Sequence, residues 1–187
     1  VMYGTHNFCK EPAMSRQQAA KAICYGFEKV QELYEEGYRL IATGEMGIGN
    51  TTTSSAVTAV LLQKEVEQVT GRGAGLSQEG LVKKISAIQK GMDLHHPDKR
   101  DVLDVLSKVG GLDIAGLTGV YLGCAFYRIP AIIDGFISGT AALCASKLNP
   151  DTLDYMLASH CSKEAGSQMI IKELGLDPMI QGDLSLG

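Results

Sequence analysis

Gly44-Glu45-Met46-Gly47-Ile48-Gly49-Asn50-Thr51-Thr52 is the stretch of this chain whose residue types and spacing are best suited to chemistry. It lies between an apolar run and a helical pattern, so it reads as a glycine-rich turn whose free amides face a helix start. Gly44, Gly49, Asn50 and Thr51 have the spacing of a triphosphate loop, but Asn50 stands where a lysine would reach the terminal phosphates. A triphosphate is therefore disfavoured. Read as a dinucleotide fingerprint, Gly47-Ile48-Gly49-Asn50-Thr51-Thr52 has a threonine where close helix–strand packing wants a third glycine. What remains is a cradle for one phosphate, held by backbone amides and a helix dipole worth about 0.3–1 kcal/mol.

An ordinary strand-to-helix turn also uses glycine, for its dihedral freedom. Glu45 argues against that reading. A carboxylate inside a phosphate cradle is electrostatically awkward, and it is better aimed at a sugar hydroxyl, a water or a reacting centre. Asp134-Gly135 is a second candidate, because it ends the apolar run Pro130-Ala131-Ile132-Ile133. In open parallel sheets, ligands lie just beyond such strand ends.

These residues need a frame, and the chain supplies the periodicities for one. Ser15-Arg16-Gln17-Gln18 is a capping box, followed by Ala19, Ala22, Ile23, Phe27, Val30 and Leu33 at helical spacing. Residues 38–43 read as a strand, and 51–63 as the helix opened by the glycine turn. Gly71-Arg72-Gly73-Ala74-Gly75 is a second glycine cluster. A helix over 77–92 follows, with Leu81, Ile85 and Ile88 inward and Lys83, Lys84 and Lys90 on or near the other face. Pro97-Asp98 reads as the start of a helix that ends at Gly110-Gly111, and 113–127 as a buried helix rich in small residues. Residues 130–136 read as the best strand, 138–148 as a return helix, 155–159 as a strand and 163–174 as a helix stopped by Gly175. Repeated β-turn-α units without a long linker predict one α/β domain over residues 1–187, with a doubly wound, mostly parallel, Rossmann-like sheet and flanking helices.

Composition bounds the function. The 187 residues are 45% apolar and 20% charged, with a net charge of -4 and no basic run, which gives no footprint for nucleic acid or anionic membrane. The longest apolar stretch, 117–133, is interrupted by Gly119, Gly123, Arg128 and Pro130, so no membrane span is expected. Five dispersed cysteines in no metal-ligand spacing point to free thiols in a reducing cytoplasm, without a metal site. His160 reads as a structural histidine, and His95-His96 as an exposed loop. A start at Val1 and an end at Leu186-Gly187 read as those of a fragment.

The glycine turn, Gly71-Arg72-Gly73-Ala74-Gly75, Gly110-Gly111-Leu112-Asp113-Ile114-Ala115, Ile133-Asp134-Gly135-Phe136-Ile137 and Ser159-His160-Cys161-Ser162-Lys163-Glu164 together resemble, in order and spacing, the nicotinate-nucleotide:dimethylbenzimidazole phosphoribosyltransferase family. Asn7-Phe8 and Ala13-Met14-Ser15 are also similar to that family. The resemblance implies transfer of the ribose phosphate of nicotinate mononucleotide to a benzimidazole nitrogen, with inversion, in assembly of the cobalamin lower ligand. It further implies a homodimer and a smaller helical domain that is largely absent here, and no cofactor is expected. Gly47, Gly49, Asn50, Thr51, Gly73, Lys84, Asp134, Gly135 and Ser162 are placed by it around the nucleotide, Glu45 beside the reacting ribose, and Leu186 on the wall of the base pocket.

The family's catalytic glutamate follows a Leu-Gly pair matched by Leu186-Gly187, so the resemblance puts the general base just beyond this chain and the 187 residues alone are expected to be inactive. A relative using another acceptor, adenine or a phenol, and a non-catalytic nucleotide-binding module are the alternatives. Ala74 stands where the family commonly has threonine, and Ser167 where a histidine is frequent. Without the resemblance the chemistry is still coherent. Amides and Lys84 would neutralise a phosphate, and Glu45 or Asp134 would bind ribose hydroxyls or stabilise oxocarbenium-like charge.

Overall fold

The computed structural model describes residues 1–73, 75–162 and 164–184. Helix α1 (Arg16–Glu35) begins at the expected capping box: Ser15 Oγ accepts from the Gln18 amide, and Gln18 Oε1 accepts from the Ser15 amide at 2.8 Å. Two otherwise orphaned backbone donors are thereby satisfied.

Strands β1 (Ile41–Ala42), β2 (Ala131–Ile133) and β3 (Met156–Ala158) form a parallel sheet in the order β1-β2-β3. Between β1 and β2 run α2 (Asn50–Leu62), the short α3 (Val66–Val69), α4 (Gln78–His95), α5 (Val102–Val109) and α6 (Leu112–Tyr127). Helix α7 (Phe136–Leu148) and a 3-10 turn (Pro150–Tyr155) lead to β3. Strand β4 (His160–Ser162), α8 (Ala165–Leu174) and β5 (Ile180–Leu184) complete a second parallel pair. The expected α/β class with parallel strands is present, in a helix-rich form.

The strands are shorter than the apolar runs that announced them. Tyr38 and Arg39 do not extend β1, because the Tyr38 amide donates to Leu33 O and the Arg39 guanidinium to Tyr34 O, closing the end of α1 instead. Phe136, read as the end of a strand, is the buried first residue of α7. Pro97-Asp98 does not start α5. The Asp98 carboxylate is taken by Arg100, and Asp101 is the N-cap, accepting from the Asp104 amide. Nor are His95 and His96 a loop: His95 ends α4 with its ring against Phe8 O at 2.8 Å, and His96 is the left-handed cap. Helix α8 begins at Ala165 and stops at Gly175, which has φ 67°.

Two close approaches set the frame for the site. A Cβ on Gly26 of α1 would lie 1.9 Å from Gly116 O of α6, and one on Gly119 of α6 would lie 1.9 Å from Ile23 O. These helices therefore pack backbone against backbone. Buried Tyr121 of α6 bonds Thr43 Oγ1 at 2.8 Å, while Thr43 donates that hydroxyl to Ile132 O at 2.9 Å, which pins the end of β1 where the glycine turn begins. Helices α2 and α7 are buried on nearly every side, and their hydroxyls are satisfied internally: Ser55 bonds Thr51 O, Thr140 bonds Phe136 O, and Thr58 meets Thr140 at 3.1 Å.

Candidate active site

The carboxyl ends of all three strands of the larger sheet feed one cleft of about 370 Å³. Glu45, Met46, Gly47 and Ile48 come from the turn after β1, Asp134 and Gly135 from the turn after β2, and His160, Ser162 and Glu164 from the segment beyond β3. Thr51 in the first turn of α2, Phe136 and Ile137 in the first turn of α7, and Gly73 close it.

Helix starts dominate its polar character. The N-caps of α2, α7 and α8 are Gly49, Gly135 and Glu164, and none makes a side-chain capping bond. The Thr52 amide of α2 donates to Gly49 O at 3.4 Å, and the aligned dipoles at the starts of α2 and α7 favour an anion in the cleft. Gly49 has φ 83°, a left-handed conformation that lets the chain turn sharply into α2.

Lys84 corrects its expected place on the outer face of α4. It is 7% exposed, and its ammonium donates to Thr51 Oγ1 at 3.0 Å and to Gly71 O at 3.1 Å. Burial pushes its pKa down, and the nearby Glu164 carboxylate opposes that shift. Glu164 lies against Gly71, where an added Cβ would collide with its carboxylate. Gly73, with φ 57°, sits where a Cβ would be 3.0 Å from Thr51 Oγ1. The second glycine cluster, Lys84 and the start of α2 are therefore one assembly.

Further carboxylates enter the cleft from the turns after β1 and β2. Glu45 Oε2 accepts from Ser138 Oγ at 3.2 Å. Burial raises the Glu45 pKa, the Ser138 hydrogen bond partly counters this, and the charges of Asp134 and Asp113 raise it further. The cleft thus brings the carboxylates of Glu45, Asp134 and Glu164 together with the starts of α2 and α7, and Lys84 stands behind Thr51.

Of the residues singled out from the sequence, Glu45, Gly47, Thr51, Gly73, Asp134, Gly135 and Ser162 line this cleft. Lys84 reaches it through Thr51, and Gly49 caps the helix that opens into it. The Asn50 amide is engaged within the protein, donating to Met46 O at 3.1 Å and to Asp113 Oδ2 at 2.7 Å. Leu186 and Ala74 lie outside the described residues. Sequence reasoning passed over Ser138 and Glu164. Ser138 read only as the first residue of the return helix over 138–148, and no local spacing marks Glu45, 93 positions away, as its partner. His160 is 6% exposed and bonded to Ser159 Oγ at 2.9 Å, in keeping with a structural role. Among the described residues, no group of three or more His, Cys, Asp or Glu is arranged to hold a metal ion, and no helix is long and apolar enough to cross a membrane.

Comparison with known proteins agrees with this geometry. The chain is 51% identical over 187 residues to the nicotinate-nucleotide–dimethylbenzimidazole phosphoribosyltransferase of Ruminiclostridium cellulolyticum, covering 100% of this chain and 53% of that protein. It is likewise 51% identical to the enzyme of that name from Clostridium acetobutylicum, with the same coverage. The crystal structure of CobT from Thermus thermophilus superposes with a TM-score of 0.92 at 38% identity, over 98% of this chain and 55% of that one. The chain thus spans about half the length of the curated relatives it matches. With the DBI_PRT phosphoribosyltransferase family model matching residues 1–187, the chain belongs to that family.

Proposed function

We propose that these residues form the nucleotide-binding core of an enzyme that transfers the ribose phosphate of nicotinate mononucleotide to a benzimidazole nitrogen, giving α-ribazole phosphate and nicotinate. The observation that carries this reading is the cleft itself, which joins the helix starts of α2 and α7 and the Thr51–Lys84 pair to the carboxylates of Glu45 and Asp134. Such a combination of groups suits a substrate with a phosphate at one end and a cationic pyridinium on its anomeric carbon. The amides of α2 and α7, with Lys84 behind Thr51, hold the phosphate. Glu45 and Asp134 meet the ribose, where positive charge grows as the pyridinium bond breaks.

Nicotinate departs with the bonding electron pair and becomes neutral at its ring nitrogen, so it needs no general acid. The acceptor attacks from the opposite face and must lose its ring proton, for which a base is required. That base is assigned to a position just beyond Gly187, and the acceptor pocket lies largely outside residues 1–187, with the family's N-terminal portion helping to build it. Residues 1–187 act as one α/β domain within a cytoplasmic homodimer. Leu186 walls the base, and Gly47, Gly49, Thr51, Gly73, Gly135 and Ser162 surround the nucleotide.

Thermal melting in the presence of ligands tests the binding half of this proposal. Nicotinate mononucleotide raises the melting temperature by mass action, whereas ATP and NAD do not. A shift with ATP and none with the mononucleotide overturns the reading. Incubation of the full-length protein with nicotinate mononucleotide and dimethylbenzimidazole, followed by chromatography for α-ribazole phosphate, tests the chemical half.

A further inference from the structure

Asp113 stands 63 positions from Asn50 in sequence, yet its carboxylate lies 2.7 Å from the Asn50 amide nitrogen. We propose that Asp113 is a positioning residue: by holding the side chain of Asn50 it fixes the backbone turn that carries Glu45 and Gly47 into the cleft. The geometry is that of a two-point clamp. One N–H of Asn50 Nδ2 goes to Asp113 Oδ2 and the other to Met46 O, which also accepts from the Ile48 amide at 2.8 Å. Met46 O belongs to the peptide plane that joins Met46 to Gly47, so fixing this carbonyl fixes that plane in the middle of the turn.

Asn50 shows that this orientation is imposed. Its Oδ1 is buried and has no hydrogen-bond partner among the described residues. Turning the amide over would give that oxygen new surroundings but set it against the Asp113 carboxylate, and would remove the donor from Met46 O. Both N–H contacts together outweigh the orphaned acceptor. Asp113 is itself held on a rigid element. It lies in the first turn of α6, where the helix dipole favours a carboxylate, and a Cβ on Gly111 would lie 2.4 Å from its Oδ1. Helix α6 is in turn locked to α1 by backbone contact at Gly26 and Gly119. A charge-assisted hydrogen bond thus transmits the position of α6 to a turn that is otherwise exposed.

The inference rests on the mononucleotide reading of the cleft only for its effect on ligand affinity. Two measurements keep the two apart. In the ligand-free chain, NMR of Asp113→Ala is expected to move the Asn50 side-chain amide signals and the backbone amides of residues 45–48, while α1 and the interior of α6 keep their shifts. Asn50→Ala, which leaves Asp113 and α6 intact, gives the same backbone pattern, and Asp113→Asn, whose amide oxygen still accepts, restores most of the wild-type spectrum. Loop shifts that stay unchanged in both alanine variants overturn the inference, as do changes spread equally through α6.

Calorimetric titration with nicotinate mononucleotide is the second measurement. Kd rises roughly tenfold in Asp113→Ala, in Asn50→Ala and in the double variant alike, because both residues serve one clamp. Multiplied effects in the double variant overturn it. Failure of the wild-type chain to bind the mononucleotide counts against the proposed function alone, and the ligand-free spectra still decide the clamp.

Discussion

Lys84 Nζ reaches Thr51 Oγ1 across 3.0 Å and so joins the inner face of α4 to the first turn of α2, at a helix start whose glycine cap provides no side-chain oxygen. A cation is thereby held one side chain away from the start of a helix. Burial lowers its pKa, and the nearby Glu164 carboxylate opposes that shift.

Replacing Lys84 with methionine separates that role from stability. In the folded state the Lys84 pKa lies below its usual value, so the unfolded chain binds the proton more tightly between the folded pKa and about 10.5. Wild-type stability therefore rises with pH through that window by this contribution, and the Lys84→Met variant lacks it. Urea unfolding at successive pH values is expected to show the variant gaining most at neutral pH and its relative advantage shrinking toward pH ~10.5. Mononucleotide affinity falls by about tenfold or more. Parallel stability curves for the two proteins would remove the buried charge from the account.

Glu45→Gln has the opposite sign. The folded carboxyl titrates above its usual value, so the folded state holds the proton over a range where the unfolded state has released it. Stability from this group is complete below the unfolded pKa and declines as pH rises through the raised folded value. The glutamine variant matches wild type in acid and gains on it across that window. In the full-length enzyme, turnover falls by about 10²–10³, the scale for removing one group that stabilises transition-state charge. Equal turnover would exclude Glu45 from the chemistry.

Two glycines that face each other should respond differently to one added methyl. Gly26→Ala forces a Cβ to within 1.9 Å of Gly116 O and must separate α1 from α6, costing about 1–3 kcal/mol or more. Gly116→Ala meets only Ala22 O at 4.0 Å, and the gain in helix propensity makes it neutral to stabilising by about 0.5–1 kcal/mol. Denaturant midpoints of the two variants give the comparison directly.

Within the glycine turn, Gly49→Ala and Gly47→Ala separate backbone strain from ligand space. Neither added Cβ would touch the protein, but Gly49 has φ 83° and alanine there costs about 1–2 kcal/mol. Gly47 carries no such strain and lines the cleft, so its alanine variant keeps the melting temperature and weakens mononucleotide binding. A stability loss at Gly47 equal to that at Gly49 would count against this assignment.

The sequence by itself determined the local grammar of this protein. The Ser15 capping box and the stop at Gly175 act over a few neighbouring residues, and both appear where their patterns predicted. Asp134-Gly135 and the Glu45 turn were legible as a site because strand ends in a parallel sheet are where ligands lie, a rule of topology rather than of contact. Tertiary structure alone decided how far each element runs and which side chains turn inward. Strand β1 is cut to Ile41–Ala42 because Tyr38 and Arg39 close the end of α1, and Phe136 joins α7 because it packs into the core. Lys84 looked solvated from its helical spacing. Only the approach of Gly71 and Thr51, 13 and 33 positions away, supplies the acceptors that let an ammonium be buried. Pairings such as Ser138 with Glu45, 93 positions apart, leave no periodic trace, because they depend on where the sheet and two helices meet in space.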